Sequence, residues 1–206
     1  MTGLQGKKIL FGITGSIAAF KAAAWVHALV KEESVVRVIM TRAATRFVTA
    51  LTFEALTANP VHVEMFADSA LDPMAHISLA RDADCLIIAP ATANTIARLA
   101  HGMADDLLAT SVLAAAGKPV MVCPAMNCKM YMHTATQDNL ERLRELGYII
   151  VEPDAGRLAC GDEGLGRRPE WDRAREQMLA CLCDHDLGGQ KVLITAGPTR
   201  ETIDPT

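Results

Sequence analysis

Aromatic side chains, basic runs and long apolar stretches are all scarce in this 206-residue sequence. Aromatic residues make up only 4% of the chain, so a flat ring ligand would rest largely on aliphatic side chains and backbone. The formal net charge is −4 and no basic run occurs, which gives no indication of nucleic acid or an anionic membrane as a partner. No apolar stretch approaches the roughly 20 residues that a membrane-spanning helix needs.

The six cysteines form no Cys-x-x-Cys pair, and several lie in apolar runs. This distribution favours a reduced, cytoplasmic protein without a metal site over a disulfide scaffold or a zinc protein. The amino terminus leads directly into a strand pattern and carries no signal-peptide pattern. Half of the residues are hydrophobic, which is enough for a sizeable core in a chain of single-domain length.

Short buried runs alternate with helical segments and predict an α/β fold. We expect a Rossmann-like (flavodoxin-like) doubly wound parallel sheet with helices on both faces. The predicted strands cover 9–13, 35–40, 61–65 (an irregular or edge strand), 85–89, 120–123 and 148–151. The predicted helices include 17–31, 48–56, 107–116, 134–146 and 169–183. Ligands bind such a sheet at the carboxyl ends of its strands, which are predicted at Thr14, Thr41, Ala89, Cys123 and Pro153.

The first strand is followed by Gly12-Ile-Thr-Gly15-Ser16. Glycine allows a sharp turn, Ser16 can cap the next helix, and a helix start with free N–H groups suits a phosphate. The spacing is Gly-x-x-Gly-Ser rather than Gly-x-Gly-x-x-Gly, which allows a mononucleotide better than a dinucleotide. Many strand-to-helix turns contain Gly and Ser without a ligand, so both interpretations stay open. Thr41 is predicted at the same edge of the sheet.

Two further turns carry polar side chains at predicted strand ends. Thr92, Asn94 and Thr95 follow one strand, where they either hydrogen-bond a phosphate or ring or cap a helix through Asn94 or Thr95. Pro124 ends the next strand, because proline cannot continue a central strand. It leads to Asn127, which has both a donor and an acceptor and either stabilises its own turn or contacts a ligand.

Three other candidates lie outside these turns. His76 is predicted at a helix start, where a packed or capping histidine is the alternative to a catalytic one. Arg81 follows five residues later and faces either the same cleft or solvent. Residues 152–168 are predicted to be a long, mobile, glycine-rich loop with Cys160 in its middle, and loops of this length are usually lids or disordered. An incidental exposed cysteine is the alternative reading of Cys160.

These motifs together resemble the flavin-dependent cysteine decarboxylases. Five motifs occur in that family's order across about residues 7–183. The resemblance implies FMN as the cofactor, with contacts from Gly15, Ser16, Ile17, Thr41, Thr92, Asn94 and Thr95. It implies catalytic roles for His76, Asn127 and Cys160. Substrate contacts are implied for Asn127, Met130, Arg81, Ala159 and Gly161. The sequence departs from the family's flap motif at Arg168, where an apolar residue is usual.

The activity implied by the resemblance is FMN-dependent decarboxylation of phosphopantothenoylcysteine to phosphopantetheine in coenzyme A biosynthesis. The cysteine CH₂–SH group is oxidised to a thioaldehyde, CO₂ is lost to give an enethiolate, and the electrons and a proton are then returned. On this reading Asn127 holds the substrate carboxylate or amide, His76 assists oxidation and decarboxylation, and Cys160 donates the final proton. The alternatives are a peptidyl-cysteine decarboxylase and a non-catalytic flavin-binding regulatory subunit of the same fold.

The last residues carry a second resemblance. The segment 191–205 resembles the start of a phosphopantothenate–cysteine ligase. We therefore expect a decarboxylase domain over 1–186, and a linker with a truncated ligase start over 187–206. The ligase activity, which uses CTP, would belong to a longer protein. The resemblance also implies self-association as a trimer or a multiple of trimers, with no nucleic-acid or membrane partner.

Overall fold

The structure is a computed structural model that describes residues 3–66, 72, 74–157, 161–183, 191 and 193. The strands are β1 (Lys8–Ile13), β2 (Val35–Met40), β3 (Val61–His62), β4 (Cys85–Ala91), β5 (Val120–Pro124), β6 (Ile149–Ile150), β7 (Asp154–Arg157) and β8 (Glu163–Arg167). The α-helices are α1 (Ala19–Lys31), α2 (Ala50–Thr57), α3 (Ala75–Asp82), α4 (Ala93–Ala100), α5 (Leu107–Ala114), α6 (Cys128–Tyr131), α7 (Thr134–Glu145) and α8 (Trp171–Leu182). A short 3₁₀ helix covers Ala44–Arg46.

Six strands form one parallel sheet in the order β3-β2-β1-β4-β5-β6. This is the strand order of the Rossmann type, in which the order reverses between the first and fourth strands and leaves a crevice at their carboxyl ends. Every residue of β4 and β5 is buried, as expected for central strands that are covered on both faces. The predicted doubly wound parallel sheet is confirmed.

Alternate residues of the strands pack into two separate core layers, one on each face of the sheet. Ile9, Phe11 and Ile13 of β1 pack in the layer formed with α1, α2 and α8. Leu10 packs in the opposite layer with α3, α4, α5 and α7. Each large apolar side chain that is fully buried contributes roughly 1.5–3 kcal/mol, so both helical layers are held firmly against the sheet. The helices on both faces agree with the prediction from sequence.

Helix α1 begins at Ala19 rather than at residue 17. Residues 15–18 form a turn in which the Ser16 hydroxyl accepts a hydrogen bond from the Ala18 N–H at 3.3 Å. Ser16 therefore stabilises the turn before the helix, while the residue at the N-cap position is Ala18, which makes no side-chain cap.

The prediction of a long loop over 152–168 is wrong for the described part of this glycine-rich segment. Instead of a structureless loop, β7 and β8 form an antiparallel hairpin. Gly164 and Gly166 of β8 have φ values of 153° and 144°, a region that glycine adopts without the steric penalty of a Cβ. Glycine is normally unfavourable in strands but is found where another backbone approaches closely, as Met126 approaches Gly166 here, and composition alone does not reveal such a contact.

Several predictions fall on residues that the structure does not describe. The roles of Ala159 and Cys160 lie outside the described residues, as does the resemblance of 191–205 to a ligase apart from Lys191 and Leu193. Within the described ranges, no helix is long and apolar enough to cross a bilayer. The same ranges contain no group of three or more His, Cys, Asp or Glu side chains arranged to hold a metal ion.

Candidate active site at the carboxyl edge of the sheet

A cleft of about 780 Å³ opens at the carboxyl ends of the parallel strands. Its walls come from the residues that follow β1 to β4, from the α4–α5 connection and from α6. These residues include Gly15, Thr41 to Ala43, Val63 to Phe66, Thr92 to Thr95 and Met130. The position is the crevice where doubly wound sheets bind ligands, and the volume is within the range of small-molecule sites.

Thr14 ties together the two polar turns that flank the crevice. Its buried hydroxyl donates to the Pro90 carbonyl oxygen at 2.6 Å and accepts from the Thr92 N–H at 3.0 Å. One side chain at the end of β1 therefore fixes the end of β4. Any ligand that spans the crevice meets two turns of fixed relative position.

Gly15 lies against the turn that follows β2. A Cβ at this position would approach the Cβ of Ala43 closer than 3.0 Å, so only glycine allows this contact. The close approach brings the turn before α1 next to Thr41 and Arg42. Gly15 thus lies at the cleft just before a helix start, a position that suits a phosphate.

Thr92 is the N-cap of α4. Its hydroxyl oxygen lies 3.4 Å from the Thr95 backbone nitrogen, which donates to it, and 3.2 Å from the Thr95 hydroxyl. The expectation that Asn94 or Thr95 caps this helix is wrong, because the cap falls one residue before the first helical residue. Asn94 instead lines the cleft beside Thr92 and Thr95.

Charged residues that sequence reasoning missed also line the cleft. Arg98 pairs with Asp106 at 2.6 Å and with Asp105 at 3.2 Å. Asp106 is also the N-cap of α5 and accepts from the Ala109 N–H at 2.8 Å. An aspartate directly before an apolar helical run was the available signal, but the ion pair with Arg98 depends on the packing of α4 beside α5.

A second ion pair lies at the mouth of the cleft. Arg42 donates two hydrogen bonds to the Glu64 carboxylate, one of them at 2.8 Å. The hydrogen bond from Arg42 lowers the pKa of Glu64. Both side chains follow strand ends, Arg42 after β2 and Glu64 after β3, so the sheet brings them together.

Asn127 is the N-cap of the short helix α6. Its Oδ1 accepts from the Lys129 N–H at 2.9 Å, and its Nδ2 donates to Oδ2 of Asp162 at 2.8 Å. Because the cap fixes which end of the amide is the acceptor, the NH₂ end points toward the β7–β8 hairpin. The turn-stabilising role considered for Asn127 is therefore present, and the role toward a ligand stays a prediction.

The Flavoprotein family model matches residues 2–182. The chain belongs to the Flavoprotein family. The coenzyme A biosynthesis bifunctional protein CoaBC of Vibrio cholerae is 47% identical over 215 residues, covering 100% of this chain and 51% of the relative. CoaBC of Mycobacterium bovis is 46% identical over 97% of this chain and 48% of its own length. The chain thus spans about half the length of these relatives.

Solved structures of similar proteins agree with this assignment to the flavoproteins. A variant PPC decarboxylase complexed with pantothenoylaminoethenethiol is 32% identical, with a TM-score of 0.73 over 84% of this chain and 97% of that chain. The FMN-dependent cysteine decarboxylase SpaF is 34% identical, with a TM-score of 0.71 over 87% and 97%. The resemblance to flavin-dependent cysteine decarboxylases is confirmed.

The flavoprotein cleft includes only part of the predicted site. Among the described residues, the predicted ones that line it are Gly15, Thr41, Thr92, Asn94, Thr95 and Met130. The lining does not include Ser16, Ile17, His76, Arg81, Asn127 or Gly161. Ser16 and Ile17 lie in the turn before α1, and Ile17 is exposed.

His76 and Arg81 occupy opposite ends of α3. His76 lies in the first turn, and the exposed Arg81 lies in the last turn with its Nε 3.7 Å from Oδ1 of Asp82. Lys118, which precedes β5, donates from Nζ to the Arg81 carbonyl oxygen. Arg81 is therefore near the amino ends of the strands, and the fold does not bring it to the cleft. Five residues of helix separate it from His76 by about 7.5 Å along the axis.

Proposed function

We propose that this chain is a cytoplasmic, FMN-dependent decarboxylase that converts phosphopantothenoylcysteine to phosphopantetheine. The observation that carries the proposal is the crevice in which the Gly15 turn and the 92–95 turn are tied together by Thr14. Similarity to CoaBC and to a PPC decarboxylase supports this substrate over a peptidyl cysteine.

The crevice fits FMN in its shape and in the chemistry of its donors. The Gly15 turn before α1 would hold the phosphate, because a helix start favours an anion. Glycine is required there, since a Cβ would collide with Ala43. The hydroxyls and amide of Thr92, Asn94 and Thr95 would contact the polar edge of the ring. Met65, Leu107, Leu108 and Met130 supply apolar surface for a flat ring. A mononucleotide agrees with the Gly-x-x-Gly-Ser spacing.

The chemistry that bound FMN supplies is a reversible two-electron oxidation of the cysteine CH₂–SH group. Asn127 would donate from Nδ2 to the substrate carboxylate and hold it in place until CO₂ leaves. His76 would assist oxidation and decarboxylation. Cys160, outside the described residues, is proposed from the sequence motif as the donor of the final proton.

Mass spectrometry of purified protein mixed with phosphopantothenoylcysteine tests the proposal directly. We expect loss of CO₂ from the substrate by a yellow protein whose released cofactor is FMN. Flavin binding without CO₂ loss would support the non-catalytic alternative. CO₂ loss only from a peptide with a C-terminal cysteine would support the peptidyl-cysteine alternative.

We propose further that the protein self-associates, as a trimer or a multiple of trimers. Five of the eight residues of α5 are buried within the chain. Exposed large apolar side chains include Ile17 and Phe20 near the start of α1, and Phe47 and Leu51 near α2. Apolar surface of this kind favours association. Light scattering that finds only fully active monomers at micromolar concentration would contradict this.

In a longer protein, the partner of this domain would be a ligase domain. The ligase would use CTP to join phosphopantothenate and cysteine, and its product would be the substrate of the decarboxylase. The two-part relatives are named as bifunctional proteins, and this chain spans about half their length. A longer form that carries residues beyond 206 should therefore accept phosphopantothenate, cysteine and CTP, whereas the present chain should not.

A further inference from the structure

A side-chain hydrogen bond joins the β7–β8 hairpin to the Asn127 turn. Asp162, just before β8, accepts from Asn127 Nδ2 at 2.8 Å. The other end of the Asn127 amide is held by the Lys129 N–H at 2.9 Å. The side chain therefore presents only N–H donors to the hairpin side, and donors of this kind bind carboxylate oxygens.

The hairpin is attached to the same turn by a second contact, farther along β8. The Met126 N–H donates to the Gly166 carbonyl oxygen at 3.0 Å. Gly161, immediately before Asp162, has a φ of 91° and no atom within 4 Å of a Cβ built on it. The paired strands fix the body of the hairpin, and the Asp162 side chain beside β8 is exposed.

We propose that Asp162 is a positioning residue that competes with the substrate carboxylate for the Nδ2 donor of Asn127. This inference rests on the proposed function, in which Asn127 binds that carboxylate. Both ligands are carboxylates, so entry of the substrate exchanges one for the other and releases the Asp162 side chain from Asn127. Loss of CO₂ removes the competing group, and Asp162 returns to Asn127 as the product leaves. Asp162 therefore lowers the affinity of the site for the acid and leaves the affinity for the decarboxylated product unchanged.

The first test compares two ligands that differ in this carboxylate. On FMN-loaded protein, Asp162→Ala should lower the KM for phosphopantothenoylcysteine about three- to tenfold, the range of one hydrogen bond. The inhibition constant of phosphopantetheine should stay within about twofold. Asp162→Asn, which keeps an acceptor without the charge, should lie between the wild type and Asp162→Ala.

Glu163→Ala is the matched control, because Glu163 is an exposed carboxylate in the same hairpin. It should leave both constants unchanged. A higher KM in Asp162→Ala, or equal changes for both ligands, would mean that Asp162 only supports the hairpin, and would overturn the proposal.

A second measurement needs no substrate and separates this inference from the proposed function. Amide hydrogen exchange over 161–167 of the FMN-loaded protein should be faster in Asp162→Ala than in the wild type or Glu163→Ala. Suppose that the wild type binds neither phosphopantothenoylcysteine nor phosphopantetheine, while amide exchange is still faster in Asp162→Ala. The proposed function would then be wrong, and the hydrogen bond between Asn127 and Asp162 would still be supported. Unchanged exchange in Asp162→Ala would overturn the proposal, because the hydrogen bond would then not restrain this segment.

Discussion

Gly166 and Met126 are in closer contact than any other residue type at position 166 would allow. The Met126 N–H donates to the Gly166 carbonyl oxygen at 3.0 Å. A Cβ on Gly166 would lie closer than 3.0 Å to the Met126 carbonyl oxygen. Glycine at this position therefore permits the hairpin to pack on the Asn127 turn, and it does not mark a flexible loop.

Gly166→Ala should accordingly separate the hairpin from the substrate turn while leaving the flavin crevice intact. We expect roughly a five- to 150-fold loss of kcat/KM with normal FMN content, because an added methyl group in a tight contact costs about 1–3 kcal/mol. Activity and bound flavin are measured on the same preparation. Gly147→Ala is the control, since Gly147 also has a positive φ, 86°, but no atom within 4 Å of its Cβ position. Equal losses in both variants would point to backbone strain alone.

Gly15→Ala should reduce FMN content, because the new Cβ collides with Ala43 and displaces the proposed phosphate-binding turn. Removing the Ala43 methyl group relieves the nearest contact, so the double variant Gly15→Ala with Ala43→Gly should recover part of the flavin. Flavin absorbance per protein chain measures both effects. Full flavin content in Gly15→Ala would show that this contact does not shape the cofactor site.

Asn127→Asp should suppress the first step of the reaction without unfolding α6. The new carboxylate can still accept from the Lys129 N–H, so the cap is retained. It loses the donor and faces both Asp162 and the substrate carboxylate with a like charge. We expect at least a tenfold loss of turnover with an unchanged far-UV circular dichroism spectrum. Turnover equal to that of the wild type would exclude a carboxylate-binding role for Asn127.

Cys160→Ser should allow CO₂ loss and then stop before the final protonation. An alcohol is a far weaker acid than a thiol with a pKa of about 8.5, so the oxidised enethiol should accumulate. Product mass and flavin absorbance are followed together. Formation of the normal, fully reduced product at the wild-type rate would remove Cys160 from the mechanism.

The protein should lose stability at alkaline pH because neutral thiol and phenol groups are buried. Burial raises the pKa of Cys123 from its ordinary value of 9.0 to about 12, and burial together with the hydrogen bond to Glu152 raises the pKa of Tyr131 to about 12. For Cys123 the stabilisation is complete below pH 9, where both states are protonated. It is lost as the pH rises toward 12, because the unfolded chain releases its proton first.

The expected slope for Cys123 is about −1.4 kcal/mol in the free energy of unfolding per pH unit between these values. Urea unfolding at several alkaline pH values measures it. Cys123→Ala should make the decline shallower, and Cys183→Ala, at an exposed cysteine, should not. Identical slopes in all three proteins would contradict the assignment.

The sheet could be predicted from sequence because its central strands are buried on both faces. Continuous apolar runs such as 85–89 and 120–123 occur only where helices cover both sides, so their location and parallel direction follow from composition. The Gly15, Thr92 and Asn127 turns were found for the same reason, since each polar segment directly follows such a run. Helix ends were less accurate because capping depends on the local backbone, as the shift of the α1 start to Ala19 shows.

By itself, the sequence determined the α/β class, the parallel strands and the polar turns at their carboxyl ends, because these depend on residue patterns within short segments. Only the tertiary structure decided which distant groups meet: Thr14 with Pro90, Arg98 with Asp106, and Asn127 with Asp162. It also decided that the glycines of β8 form a packed hairpin. These contacts depend on strand order and on close approach between backbones, and neither leaves a periodic signal in the chain.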